Sequence, residues 1–219
     1  MFHVKLFLQF FFWKSCRSKT FWKKLLITVD QDFFLETVMN TIACFGDSLI
    51  EGFPFSPENS WIAQVQKSTG IRMLNHGICG ECCDDIKDRL IWRPLPKEVN
   101  HVLFEGGMND IIQGCSLTFS VDQIKLAKQF CDEQNAAFCL VLPWLCGAEE
   151  LNHIIERLRE AMRKEFENKC YLLDFEPMFL TKKHRMEWFI WDGVHPKAET
   201  YEALGNYASP LLEKWVKER

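Results

Sequence analysis

The chain has 219 residues, enough for one domain with a sizeable core. Its 47% hydrophobic and 26% charged residues are ordinary for a soluble globular protein, and a net charge of -4 gives no general attraction to nucleic acid or anionic membranes. The charge is uneven: Lys5, Lys14, Arg17, Lys19, Lys23 and Lys24 outnumber Asp30, Asp32 and Glu36 at the start, so the remainder is acidic and disfavours polyanionic substrates.

Residues 1–38 stand apart. The apolar stretch 6–13 behind Lys5 is too short to cross a bilayer. The Lys14-Ser15-Cys16-Arg17 that follows offers no small-residue cleavage site. Three readings fit: a surface-binding amphipathic segment, an extension packed on the domain, or a mistranslated leader ahead of a start at Met39. The last is preferred, because Met39-Asn40-Thr41-Ile42 runs straight into the first apolar stretch. The domain is therefore expected to cover 39–219.

From there, apolar runs at 41–45, 71–74, 99–104, 136–142 and 170–175 predict five strands. Their near-continuous hydrophobicity suits parallel strands covered on both faces. Helical patterns lie between them. Ser56-Pro57 opens the first, which Gly70 ends. The second covers 84–92. The third, 121–134, spaces Ile124, Ala127 and Phe130 on one face. The fourth, 149–167, stripes Leu151, Ile154, Ile155, Leu158 and Met162. The last, 197–217, carries Tyr201, Leu204, Ala208, Leu211, Leu212 and Trp215. Strands interleaved with helices predict a three-layer α/β/α sandwich around a flavodoxin-like five-stranded parallel sheet.

Ten cysteines invite a disulfide framework. Cys44, Cys139 and Cys170 sit inside apolar runs, however, where Cys behaves as a small hydrophobe. Reduced thiols in a cytoplasmic enzyme are the simpler reading. Cys79-x-x-Cys82-Cys83 has the spacing of a zinc or redox motif, but no second pair or histidine completes a set. No metal is expected.

Four short motifs follow one another in order. Gly46-Asp47-Ser48-Leu49 comes directly after the first apolar run. Asn75-His76-Gly77 ends the second and Gly107-Met108-Asn109-Asp110 follows the third. Asp192-Gly193-Val194-His195 precedes the last helix. In a doubly wound sheet, ligands sit beyond the carboxyl ends of strands, and these motifs fall there. Each has a plain alternative. Ser48 could be a turn serine capping a helix. Gly77 and Asn109 could be turn residues, as could Asp110 and the Gly106-Gly107 pair. Asp192 and His195, three residues apart, can meet through Nδ1 and leave Nε2 to take a serine proton. His184, in the basic patch Lys182–Arg185, and His76 are the rival histidines.

Taken together, the blocks resemble the SGNH hydrolases, or GDSL esterase/lipase family, from about Thr41 onward. The resemblance implies Ser48 as nucleophile, His195 as base and Asp192 as its orienting acid. It implies an oxyanion hole made from Ser48, Gly77 and Asn109, with Asp47 and Gly107 in support. It implies no cofactor. Some positions depart from the family pattern: Glu105 stands where the third strand usually ends in an aliphatic residue, Ile50-Glu51 follows the first block, and Cys82-Cys83 replaces the commoner Ser or Thr. The implied function is a serine esterase acting on short-acyl, aryl or lysophospholipid-like esters through an acyl-serine. An acyltransferase or a carbohydrate O-deacetylase using the same site is the alternative, and a catalytically silent binding module the third reading. Phe53, Phe55, Trp144 and Trp191 offer an apolar wall for substrate, or else close the core. The expected partner is a small ester, with no nucleic acid and no stable membrane insertion. The sequence leaves the oligomeric state open.

Overall fold

The computed structural model describes residues 40–218. The readings of residues 1–38 lie outside the described residues. Strands β1 (Thr41–Gly46), β2 (Arg72–Gly77), β3 (Val99–Phe104), β4 (Ala137–Val141) and β5 (Tyr171–Leu173) form one parallel sheet. Its order is β2-β1-β3-β4-β5, the expected flavodoxin-like arrangement. All six residues of the inner strand β1 are buried. A strand covered on both faces has no polar side to show, which is why it reads as a continuous apolar run. Register matters for the site. Gly46 pairs with Gly77, and Phe45 pairs with Phe104, so the carboxyl ends of β1, β2 and β3 lie side by side.

Helices α1 (Ser48–Glu51), α2 (Trp61–Thr69), α3 (Cys83–Trp92), α4 (Met108–Gln113), α5 (Leu117–Glu133), α6 (Glu149–Phe166), α7 (Glu176–Phe179) and α8 (Ala198–Lys217) complete the fold. α2 packs against α8, while α3, α5 and α6 pack in a row. Among the described residues, no helix is long and apolar enough to cross a membrane.

Boundaries differ from expectation where capping decides them. Ser56 makes no side-chain cap, and Pro57–Asn59 is only a 3₁₀ turn. The cap belongs to Ser60, whose hydroxyl accepts the Ala63 N–H at 3.3 Å, so α2 starts at Trp61. Likewise Ser116 accepts the Phe119 N–H at 3.1 Å and starts α5 four residues before the predicted position. The short helices α1, α4 and α7 were not expected. They have too few turns to show a period and are fixed by tertiary contacts.

The core lines both faces of the sheet. Phe175 illustrates it, with Trp61 and Trp144 edge-on at 5.2 and 5.6 Å between ring centroids. Burying each such side chain contributes about 1.5–3 kcal/mol. Among the described residues, one cation is buried with them. Arg159 of α6 forks onto both oxygens of Asp174 at 3.0 and 3.1 Å and donates to the Pro143 carbonyl at 2.6 Å. Burial alone would raise the Asp174 carboxyl, but the Glu176 N–H and the Arg159 and Arg163 guanidiniums outweigh it and hold the group below its ordinary range.

Candidate active site

Asp47 follows β1 and serves as N-cap of the single-turn helix α1, its Oδ1 accepting the Leu49 N–H at 2.9 Å. That cap turns the chain sharply and leaves Ser48 as the first residue of the helix, 7% exposed. An N–H at this position has no intrahelical partner.

The other half of the site comes from the loop before α8. Phe189 and Pro196 bridge across it, and the Ile190 N–H donates to the His195 carbonyl at 2.9 Å. Inside the loop, Asp192 Oδ1 accepts the N–H groups of Val194 and His195, both at 2.9 Å. Its Oδ2 lies 2.7 Å from His195 Nδ1, and His195 Nε2 lies 2.9 Å from Ser48 Oγ. Desolvation raises the Asp192 carboxyl, yet hydrogen bonds from the His195 N–H and ring and the Val194 N–H hold it below the usual carboxylate range. An ionised Asp192 places the ring proton on Nδ1, so Nε2 is the acceptor facing the serine.

Gly77 and Asn109 stand at the ends of the neighbouring strands. A Cβ on Gly77 would lie 2.2 Å from the Glu51 backbone nitrogen, so only glycine lets α1 approach β2 this closely. Its N–H donates to Asn75 Oδ1 at 2.9 Å. Gly107, with φ of 110°, is the N-cap from which α4 starts and carries Asn109 back toward β1. Asn109 Nδ2 donates to Asp47 Oδ2 at 3.1 Å and to the Glu81 carbonyl at 2.9 Å. Both expected oxyanion donors thus have partners within the protein.

A serine, a histidine and an acid in one hydrogen-bonded line can be compared with known proteins. The GDSL-like Lipase/Acylhydrolase family matches residues 44–203. The chain belongs to this family.

Solved structures of similar fold agree with that assignment. A lipolytic protein of the G-D-S-L family from Desulfitobacterium hafniense DCB-2 shares 24% identity at a TM-score of 0.68, over 78% of this chain and 98% of its own. The psychrotrophic esterase EstA from Pseudoalteromonas sp. shares 19% at 0.67, over 81% and 99%. The lipase/acylhydrolase from Enterococcus faecalis shares 17% at 0.70, over 80% and 96%. No curated protein matches the chain. Family membership makes this protein a hydrolase.

Several residues of this GDSL-family hydrolase take places that the sequence did not reveal. Trp144 was read as substrate wall or as core. The wall reading is corrected: at 1% exposure its indole packs against the Phe175 and Phe179 rings in the core. Phe53, Phe55 and Trp191 are exposed, Trp191 to 90%, and the Phe53 ring stands edge-on to His195 at 4.7 Å. Of the rival histidines, His184 is exposed. His76 packs on Phe45 and faces Arg93, and burial with the Arg93 and Arg89 charges pushes it down. Arg89 pairs with Glu81 and donates to the His76 and Gly46 carbonyls at 2.6 and 3.2 Å, clipping the ends of β2 and β1. Its cation at the end of an amphipathic helix was the available signal.

The nine described cysteines are free thiols. Cys82 lies with Asp110 and Cys115, and separately with Asp84 and Asp85, at donor separations within 4.8 Å. Cys79 and Cys83 belong to neither group. Asp110 already accepts the Ser120 hydroxyl at 2.8 Å and the Cys83 N–H at 2.9 Å. It joins α3, α4 and α5 rather than shaping a loop.

Proposed function

We propose that this hydrolase is a serine esterase that cleaves carboxylic esters through an acyl-serine intermediate. The observation that carries the reading is the unbroken line Ser48 Oγ, His195 Nε2, His195 Nδ1, Asp192 Oδ2, at 2.9 and 2.7 Å. His195 takes the Ser48 proton as Oγ attacks the carbonyl carbon, and Asp192 stabilises the imidazolium that forms. The Ser48 N–H is the first oxyanion donor. The Gly77 N–H and Asn109 Nδ2 join it by exchanging Asn75 Oδ1 and the Glu81 carbonyl for the developing anion. A charged acceptor holds these donors about twice as strongly as a neutral one. His195 then gives its proton to the leaving alcohol, and water repeats the sequence on the acyl-serine.

The exposed Phe53, Phe55 and Trp191 favour an apolar acyl or aryl group beside His195. Free thiols favour a reducing compartment, the cytoplasm. The test is a panel of p-nitrophenyl esters of increasing chain length, run with acetylated sugars and added alcohol acceptors, together with fluorophosphonate labelling. Ester turnover and a label on Ser48 are expected. A folded protein that neither turns over nor labels is a binding module, and dominant transfer to the acceptors makes it an acyltransferase.

A further inference from the structure

Beneath the Ser48 turn lie two carboxyl groups that make no ion pair among the described residues. Asp47 follows β1 and Glu105 follows β3, and each is 1% exposed. Glu105 Oε2 sits over Gly46, 2.9 Å from where a Cβ would stand, and accepts the Asp47 N–H at 3.4 Å. The two carboxyls also hydrogen-bond to each other. The rest of Asp47 is committed: Oδ1 to the Leu49 N–H and Oδ2 to Asn109 Nδ2. Arg89 turns its guanidinium to Glu81 and to backbone carbonyls instead.

Two carboxyls in hydrogen-bond contact away from water do not both ionise. One must carry a proton, and the surroundings decide which. Asp47 accepts a backbone N–H and an amide N–H, bonds that favour its charged form. Glu105 accepts only the weak 3.4 Å bond, so the proton belongs on Glu105. Burial pushes both carboxyls up, Asp47 to about 6, as expected of a pair that cannot ionise together.

We propose that Glu105 is a positioning residue for the ester reaction: held neutral, it donates its O–H to Asp47, and the carboxylate so fixed sets the Asn109 amide beside Ser48. The proton stays on Glu105 throughout, and the pair carries one negative charge. This role rests on the esterase reading above. It explains why a buried acid follows the apolar end Val102-Leu103-Phe104 of β3. An aliphatic residue there would leave Asp47 with its amide partners only, free to swing with Asn109.

Two variants separate positioning from bulk structure. Glu105→Gln keeps a neutral N–H donor, whereas Glu105→Leu removes it. We expect kcat within about threefold of wild type for Gln and about 10–100-fold lower for Leu at unchanged KM, as for a misplaced oxyanion donor. Equal loss in both variants, or a change in KM alone, overturns the role. Infrared spectroscopy near neutral pH supplies a readout independent of turnover. A neutral carboxylic acid band should be present in the wild type and absent from Glu105→Gln. Its absence from the wild type overturns the shared proton. Should the wild type turn over no ester, the esterase reading fails by itself. The positioning claim is then decided by the Asn109 side-chain amide signals in nitrogen-15 spectra, expected to move in Glu105→Leu and to hold in Glu105→Gln. Unmoved signals in Glu105→Leu, or its failure to fold together with a low kcat or displaced amide signals in Glu105→Gln, would refute it.

Discussion

The Tyr201 hydroxyl donates to the Phe53 carbonyl at 2.7 Å. One bond thereby ties the last helix to the loop that follows the Ser48 turn, and Phe53 in turn rests against His195. Tyr201 is fully buried, and burial raises its phenol far above the ordinary range, so it remains a donor at any working pH.

Tyr201→Phe should lose about 0.5–1.5 kcal/mol of stability, the ordinary worth of one hydrogen bond. With the Phe53 loop freed, KM should rise about threefold while kcat holds, since the chemistry is untouched. Thermal melts and ester kinetics check both. A fall in kcat at constant KM would show that the loop positions His195 and not the substrate.

Ser48→Ala should fold and melt as the wild type does, because among the described residues the hydroxyl bonds only to His195. Ester turnover should fall by at least about 10⁴-fold, and the fluorophosphonate label should disappear. Circular dichroism and mass spectrometry of the labelled protein decide this. A label retained on another residue would place the nucleophile elsewhere.

His195→Ala should remove general-base catalysis, a loss of about 10²–10⁴ or more, and Asp192→Asn should lose somewhat less. The Asp192 carboxyl is held below its ordinary range, so the sign of its effect on stability is fixed. Its contribution is present above the unfolded value and disappears as pH falls through the lower folded value. The melting-temperature deficit of Asp192→Asn should therefore be full at neutral pH and vanish in acid. A deficit independent of pH would mean that the variant disturbs the loop and not a charge.

Asn109→Ala should lower kcat by about 10²–10³ with KM nearly unchanged, the signature of a lost oxyanion donor. It also leaves the Glu81 carbonyl and Asp47 Oδ2 without their amide partner. Steady-state kinetics on a p-nitrophenyl ester give the answer. A rise in KM at constant kcat would make Asn109 a substrate-binding residue.

The sheet was legible because its strands are covered on both faces. Runs such as Ile42-Ala43-Cys44-Phe45 have no polar alternation to confuse them. Ser48, His195 and Asp192 could be named as candidates because a serine, a histidine and an acid carry their chemistry in their identity, and the structure brings the three into one hydrogen-bonded line. What each donor bonds to was not legible. Gly77 faces Asn75 through a bond that spans two residues, and Asn109 faces Asp47 across 62 positions. Neither contact has a period or a composition. Trp144 stood undecided between wall and core for a related reason. An aromatic after a strand end suits a site wall or a core equally well, and only the packing of Phe175 and Phe179 decides. Cys115 meets Cys82 because α4 folds back, a turn set by the left-handed Gly107 and Gly114. Glu105 was visible as a charge ending an apolar run, but its partner Asp47 required the register of β1 against β3.

The 147 positions between Ser48 and His195 also govern when the site comes into being during synthesis. A nascent chain emerging from the ribosome presents the Ser48 turn early, with the first strand. His195 and Asp192 arrive only when the loop before α8 has been made, and that loop is followed by Tyr201 and by the packing of α8 on α2. Fragments arrested upstream hold Ser48 without its histidine partner. The growing polypeptide therefore cannot join Ser48 to His195 and Asp192 until almost all of the domain has left the exit tunnel and docked.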